Sequence, residues 1–243
     1  MKTVKLRFSQ IIAHAILIML LSLTFLPVSC FNPNQYKVPY TAFYESLLAQ
    51  FPEDHQGKGV EPFYLKGIEE QPMTYGLILS AEVLRFRSSP NEESRRRIRK
   101  AVQWLLENAD SDGDGLPGWG LPQAWDAFAD GSVNKAHHPY SITTAIVLLG
   151  LQDALSIPSL WTNAEKEAIR KIVINVSTRW AKDVWTEDAN GGFFWYSPSP
   201  SDAHFVPNVS AMFLGSLARL LHEQGDFLND SERKLIQDRV DKA

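Results

Sequence analysis

Three stretches of the chain, residues 75–84, 144–153 and 210–219, are apolar at nearly every position. They recur about 66–70 residues apart, each with a small residue near its start: Gly76, Ala145 and Ala211. A helix with no polar face is buried on most of its surface, so the pattern predicts three core helices. Each stretch is followed by a segment of a different kind. Residues 91–108, 163–183 and 231–243 carry apolar positions at three- and four-residue spacing, with Lys, Arg and Glu between them. That periodicity predicts amphipathic helices with one wet face. Their starts are marked by Asn91-Glu-Glu, Thr162-Asn-Ala-Glu165 and Asn229-Asp-Ser-Glu232. These place capping side chains and acids in the first helical turn.

A buried helix followed by an amphipathic one, repeated along the chain, is the signature of stacked αα-hairpins. The expected fold class is therefore all-α. The turns inside each hairpin are short, whereas the returns are long: about 30 residues across 109–139 and over 20 across 184–207. Long connections in a compact domain are usually functional. Both lie where a core helix begins, so both are expected on one face.

The N-terminus adds an address. Lys2, Lys5 and Arg7 precede an apolar run of about 16 residues across 11–26, closing in Leu26-Pro27-Val28-Ser29-Cys30. A positive flank, an apolar core and small residues form an export signal. The run is short against the ~20 residues of a spanning helix. The segment resembles a bacterial lipoprotein signal, which implies lipidation at Cys30. Pro27 stands where that family prefers a leucine-like residue, and a cleaved signal or an uncleaved anchor is the alternative. Residues 1–30 are thus read as export signal or membrane anchor, and 31–243 as the hairpin domain. Cys30 is the sole cysteine, which excludes an intrachain disulfide and a Cys-based zinc site. A net charge of −4 gives no case for nucleic acid.

The three core helices, with the loop from Asp110 through Trp119 and Trp125 to Asp126, resemble the (α/α) toroids of the six-hairpin glycosidase superfamily. The resemblance spans roughly residues 40–243 and is one of architecture and loop character. It implies that the core helices open onto a cavity ringed by the long loops, where a polysaccharide or oligosaccharide would bind. A closed six-hairpin ring needs far more chain than this, so the expected fold is an (α/α) toroid or partial toroid, either truncated inside or just after the second helix of its third repeat or forming part of an open or oligomeric ring.

Candidate chemistry sits in the two loops. Asp110, Asp112 and Asp114 alternate in a glycine-rich turn, a spacing that wraps oxygen ligands round a structural calcium. Leu121 occupies the position where an EF-hand needs glutamate, so the turn is not an EF-hand. Trp119, Trp125, Asp126 and Asp130 mix indoles with carboxylates, which suits sugars: indole faces stack on pyranose rings and carboxylates accept from hydroxyls. His137, His138 and Tyr140 lead into the second core helix. A shift of 66 residues superposes His204 on His138, so a histidine precedes a core helix twice. Asn208 follows His204, while Glu187, Trp195 and Tyr196 repeat the acid–glycine–aromatic composition of the first loop.

Three functions fit. Glycoside hydrolysis would use two carboxyl groups across the scissile bond, assigned to Asp126 and Asp202 with Glu187 in reserve. A uronate lyase or epimerase would use His138, Tyr140, His204 and Asn208 as base and anion partners. A non-catalytic glycan-binding or scaffold lipoprotein would need the rim alone. Two other users of this architecture, zinc-dependent prenyl transfer and lanthionine-type cyclisation, rely on a cysteine-bearing zinc site absent here. The Asp-x-Asp-Asp motif of squalene cyclases does not occur.

Overall fold

The structure, a computed structural model, describes residues 37–49, 51–58 and 69–243. The export segment and Cys30 lie outside the described residues. The chain divides into two units, Met1–Leu48 and Ala49–Ala243. The described part of the first is a helix, α1 (Lys37–Leu48).

The second unit is built of αα-hairpins, and the chain is all-α in class. Its elements are α2 (Pro72–Ser88), α3 (Glu92–Glu107), α4 (Ser141–Leu155), α5 (Asn163–Asp183), α6 (Pro207–Gln224) and α7 (Asp230–Asp241). A single antiparallel hairpin, β1 (Trp185–Asp188) and β2 (Gly191–Phe194), interrupts them among the described residues. The expected caps all form. The Asn91 side chain accepts from the Ser94 amide, and Thr162 and Asn229 each close a capping box with Glu165 and Glu232.

Helix α4 packs between α2 and α6, while α3, α5 and α7 lie along the outside, α5 touching both of its neighbours. The apolar helices reach each other through small residues. A Cβ on Gly150 would stand 2.8 Å from the backbone oxygen of Gly76, so α2 and α4 approach almost backbone to backbone. On the other side of α4, the Gln152 amide donates to the Ser216 carbonyl of α6 at 3.1 Å. Leu79, Val83, Leu148, Leu151, Phe213 and Leu217 fill the space between these helices. The outer layer is tied in by charge as well as by packing. Glu82 of α2, fully buried, pairs with Arg97 of α3 at 3.1 Å, and Arg97 also donates to the Phe51 carbonyl.

The helix crossing gives a direct test. Gly150→Val should destabilise the domain by about 1–3 kcal/mol through overpacking. Gly215→Ala, at a position with nothing within 4 Å, should stabilise by about 0.5–1 kcal/mol through helix propensity. Urea unfolding followed by circular dichroism measures both, and equal effects at the two sites would refute the close crossing.

Candidate functional site

The first long loop, 109–140, is anchored deep and then folds back on itself. The Trp119 indole donates to the Leu105 carbonyl at 3.0 Å, and the Trp180 indole of α5 donates to the Pro117 carbonyl at 2.7 Å. Gly120 pairs with Pro139, and Trp125 with Asn134, making an antiparallel excursion. Only glycine fits at position 120, because a Cβ there would meet the His138 carbonyl oxygen at 1.8 Å. At the tip, the Asp126 carboxylate accepts from the amides of Asp130 and Gly131 at 3.2 and 2.9 Å.

The second loop carries the β-hairpin that periodicity did not reveal, then a single 3-10 turn at Pro200–Asp202. Its middle is fixed to two core helices. The Phe194 amide donates to Ser210 Oγ at the start of α6, and the Tyr196 carbonyl accepts from the Ser141 amide at the start of α4. The Gly192 amide donates to the Lys242 carbonyl beyond α7.

The two loops meet over the start of α4. Asp202 is fully buried, and its Oδ2 accepts from Asn134 Nδ2 and from Ser197 Oγ, each at 2.7 Å. Asn134 also donates to the Tyr140 hydroxyl at 3.2 Å. Ser197 Oγ lies 3.1 Å from His138 Nε2. Since the serine spends its one proton on Asp202, the imidazole must donate through Nε2. That leaves His138 Nδ1 facing Asp112 Oδ2 at 3.8 Å. Asp112 belongs to the acidic turn, and with Asp114 and His138 it places three ligand atoms within 4.8 Å of one another. Burial pushes the His138 imidazole below its ordinary range, opposed by the nearby carboxylates. Burial, helped by Asp114, pushes the Asp112 carboxyl up. The Tyr140 phenol is pushed up to about 12, chiefly by burial.

Outside this buried chain, rings line the rim. The Phe128 ring, 37% exposed, stands 4.6 Å from that of His204 and 5.2 Å from that of Tyr196, which in turn meets Tyr140 at 5.6 Å. Phe205, 57% exposed, packs against Phe193. Asp130, at the same tip, is held below the usual carboxylate range, first by the Ser132 hydroxyl and amide and also by His204.

Of the residues expected at the site, the structure brings together Asp112, His138, Tyr140 and Asp202 as an enclosed cluster, with exposed Asp114 at its edge. Asp126, Asp130, Tyr196 and His204 gather around Phe128 above it. Others land elsewhere. Trp119 is 1% exposed and plugs the core, so it offers no face to a ligand. Glu187 sits on the hairpin, bound to Arg239 and Lys242 at 3.1 and 3.2 Å, away from the loop junction. Asp110 stays outside the ligand cluster. His137, with φ of 65°, lines a separate cleft of about 570 Å³ with Trp104, Glu70 and Pro122. Trp125 and Trp195 are half-buried, Trp195 against the core, and Asn208 is exposed in the first turn of α6.

Sequence reasoning missed Asn134, Ser197, Phe128 and Phe205. Phe128 lay inside the loop already singled out and had a signal, an apolar ring flanked by two aspartates. Asn134 and Ser197 had none, because their importance arises from contacts across the two loops. Comparison of the chain with known protein families, curated proteins and solved structures gives no match.

The split between plug and rim is measurable. Trp119→Ala should cost about 3–5 kcal/mol of unfolding free energy, whereas Phe128→Ala should change it by less than about 1 kcal/mol. A comparable loss in both would mean that the rim rings are part of the core.

Proposed function

We propose that the chain is a carbohydrate-active protein of the cell envelope, built on an arc of an (α/α) toroid, whose rim binds a polysaccharide or oligosaccharide. The observation that carries this reading is the exposed ring cluster of Phe128, Tyr196 and His204 beside the carboxylates of Asp126 and Asp130. Sugars present apolar C–H faces and hydroxyl edges, so they are bound by aromatic surfaces edged with acceptors. Exposed rings that cluster, and are not scattered singly, mark an interaction site. The arc is supported by three apolar helices side by side with their amphipathic partners outside. The envelope location is supported by the export pattern of residues 1–30.

Glycoside hydrolysis is the reaction favoured by Asp126. This carboxylate is half-buried at the ring cluster, and two backbone N–H groups fix its orientation, as a base or nucleophile requires. Asp202 is enclosed and already accepts two hydrogen bonds, so its part is to hold the loops and not to touch substrate.

Affinity electrophoresis through gels containing neutral, amino-sugar or uronate polysaccharides tests binding. At least one should retard the protein, and Phe128→Ala with Phe205→Ala should weaken that retardation about tenfold, the equivalent of ~1.4 kcal/mol. No retardation in any gel, or an unaffected double variant, would overturn the reading. Asp126→Asn should keep the binding and lose release of reducing ends. Binding by the wild type without any product would select the non-catalytic scaffold.

A further inference from the structure

The facing of His138 Nδ1 and Asp112 Oδ2 is met by the protein only from the edge, where the Lys135 ammonium lies 3.5 Å from Oδ2. Asp112's side chain is 2% exposed, and its Oδ2 is enclosed without a hydrogen-bond partner. The nitrogen opposite it bears a lone pair, because the imidazole proton is used on Ser197. Two acceptors aimed at each other in a buried place repel unless something positive lies between them. Asp114 completes the surroundings from the exposed side. The Oδ1 atoms of both aspartates are occupied within the turn, Asp112 by the Asp114 amide at 3.4 Å and Asp114 by the Leu116 amide at 2.8 Å. The turn is held in shape while Asp112 Oδ2 is left over.

We propose that Asp112, Asp114 and His138 bind one divalent transition-type cation, with Zn²⁺ as its representative, leaving a fourth position open to water. Ligand atoms about 2.0–2.2 Å from a tetrahedral zinc ion stand roughly 3.3–3.6 Å apart, so Nδ1 and Oδ2, at 3.8 Å, need to close only slightly, and exposed Asp114, whose carboxylate lies within 4.8 Å of both, turns in to complete the set. A ligand set with an imidazole nitrogen selects zinc-class ions over calcium, which takes oxygen alone. Two carboxylates neutralise the ion's charge. Ser197 supplies the outer partner that metal-bound histidines need, since it fixes the imidazole with Nδ1 free. Through Ser197 and Asp202, the ion would then be coupled to the second loop.

Lys135 explains how the empty arrangement is tolerated. Its ammonium donates to the Asp112 carbonyl at 2.9 Å and lies 3.5 Å from Oδ2, on a side chain 56% exposed. It supplies positive charge at the edge of the site and is free to swing out when an ion enters. The proposal is independent of the glycan reading, because it rests on ligand geometry beneath the rim.

Calorimetric titration of the chelator-treated full chain with Zn²⁺ tests it. One ion per chain should bind, and Ca²⁺ should not compete. Outer-partner changes at metal sites cost about 10–100-fold in affinity, so Ser197→Ala should lose about tenfold, and Asp112→Asn and His138→Gln at least ~100-fold. Asp110→Asn should bind as the wild type does. Lys135→Met should bind more tightly, because the competing cation is gone. Absence of a stoichiometric site, or wild-type affinity in both Asp112→Asn and His138→Gln, would overturn the proposal. Should either of those variants lose its helical circular dichroism, exposed Asp114→Asn decides the matter, and unchanged affinity there is equally fatal.

Discussion

A carboxylate removed from water costs several kcal/mol unless donors replace the lost hydration. Asp202 is such a group, and its two donors come from different places: Ser197 from its own loop, Asn134 from a loop 68 residues earlier. Neither loop alone supplies both donors, which converge on Oδ2. Separating the loops would expose the carboxylate's neighbours and strip one donor away. The organisation of the rim depends on this shared bond, because the ring cluster above it, from Phe128 to His204, is positioned by loops with little secondary structure of their own.

The helices beneath make the meeting unavoidable. Three apolar stretches must each bury nearly all their surface, and they do so by packing side by side with α4 between α2 and α6. Gly76 and Gly150 bring two of these helices to backbone contact. With the starts of α4 and α6 adjacent, the connections leading into them share one end of the domain. Ser141 and Ser210, the hydroxyl-bearing residues in the first turns of α4 and α6, receive the second loop through Tyr196 and Phe194. Packing of the core thereby dictates where the two loops meet.

Local signals were readable in the chain to the extent that their physics is local. Asn91, Thr162 and Asn229 announced helix starts because a cap acts within one turn. The all-hydrophobic stretches announced burial, and the loop lengths announced a common face. Long-range roles were not readable. Trp119 and Trp125 occur in the same composition, yet one indole reaches the Leu105 carbonyl and fills the core while the other stays near the surface. His138 and His204 occupy equivalent places in the repeat, but the first is sealed under Ser197 and the second lies open against Phe128. Glu187 resembled the acids of the first loop until the hairpin carried it to Arg239 and Lys242. In each case the partner, far away in sequence, decides the role.

The two loops form one rim through Asn134 and Asp202, and a double-mutant cycle measures that link most directly. Unfolding free energies of Asn134→Ala, Asp202→Ala and the double variant should show a coupling of about 1–3 kcal/mol, as a buried hydrogen bond to a charged acceptor gives. Additivity within about 0.5 kcal/mol would mean that the loops do not hold each other, and the shared rim would not exist.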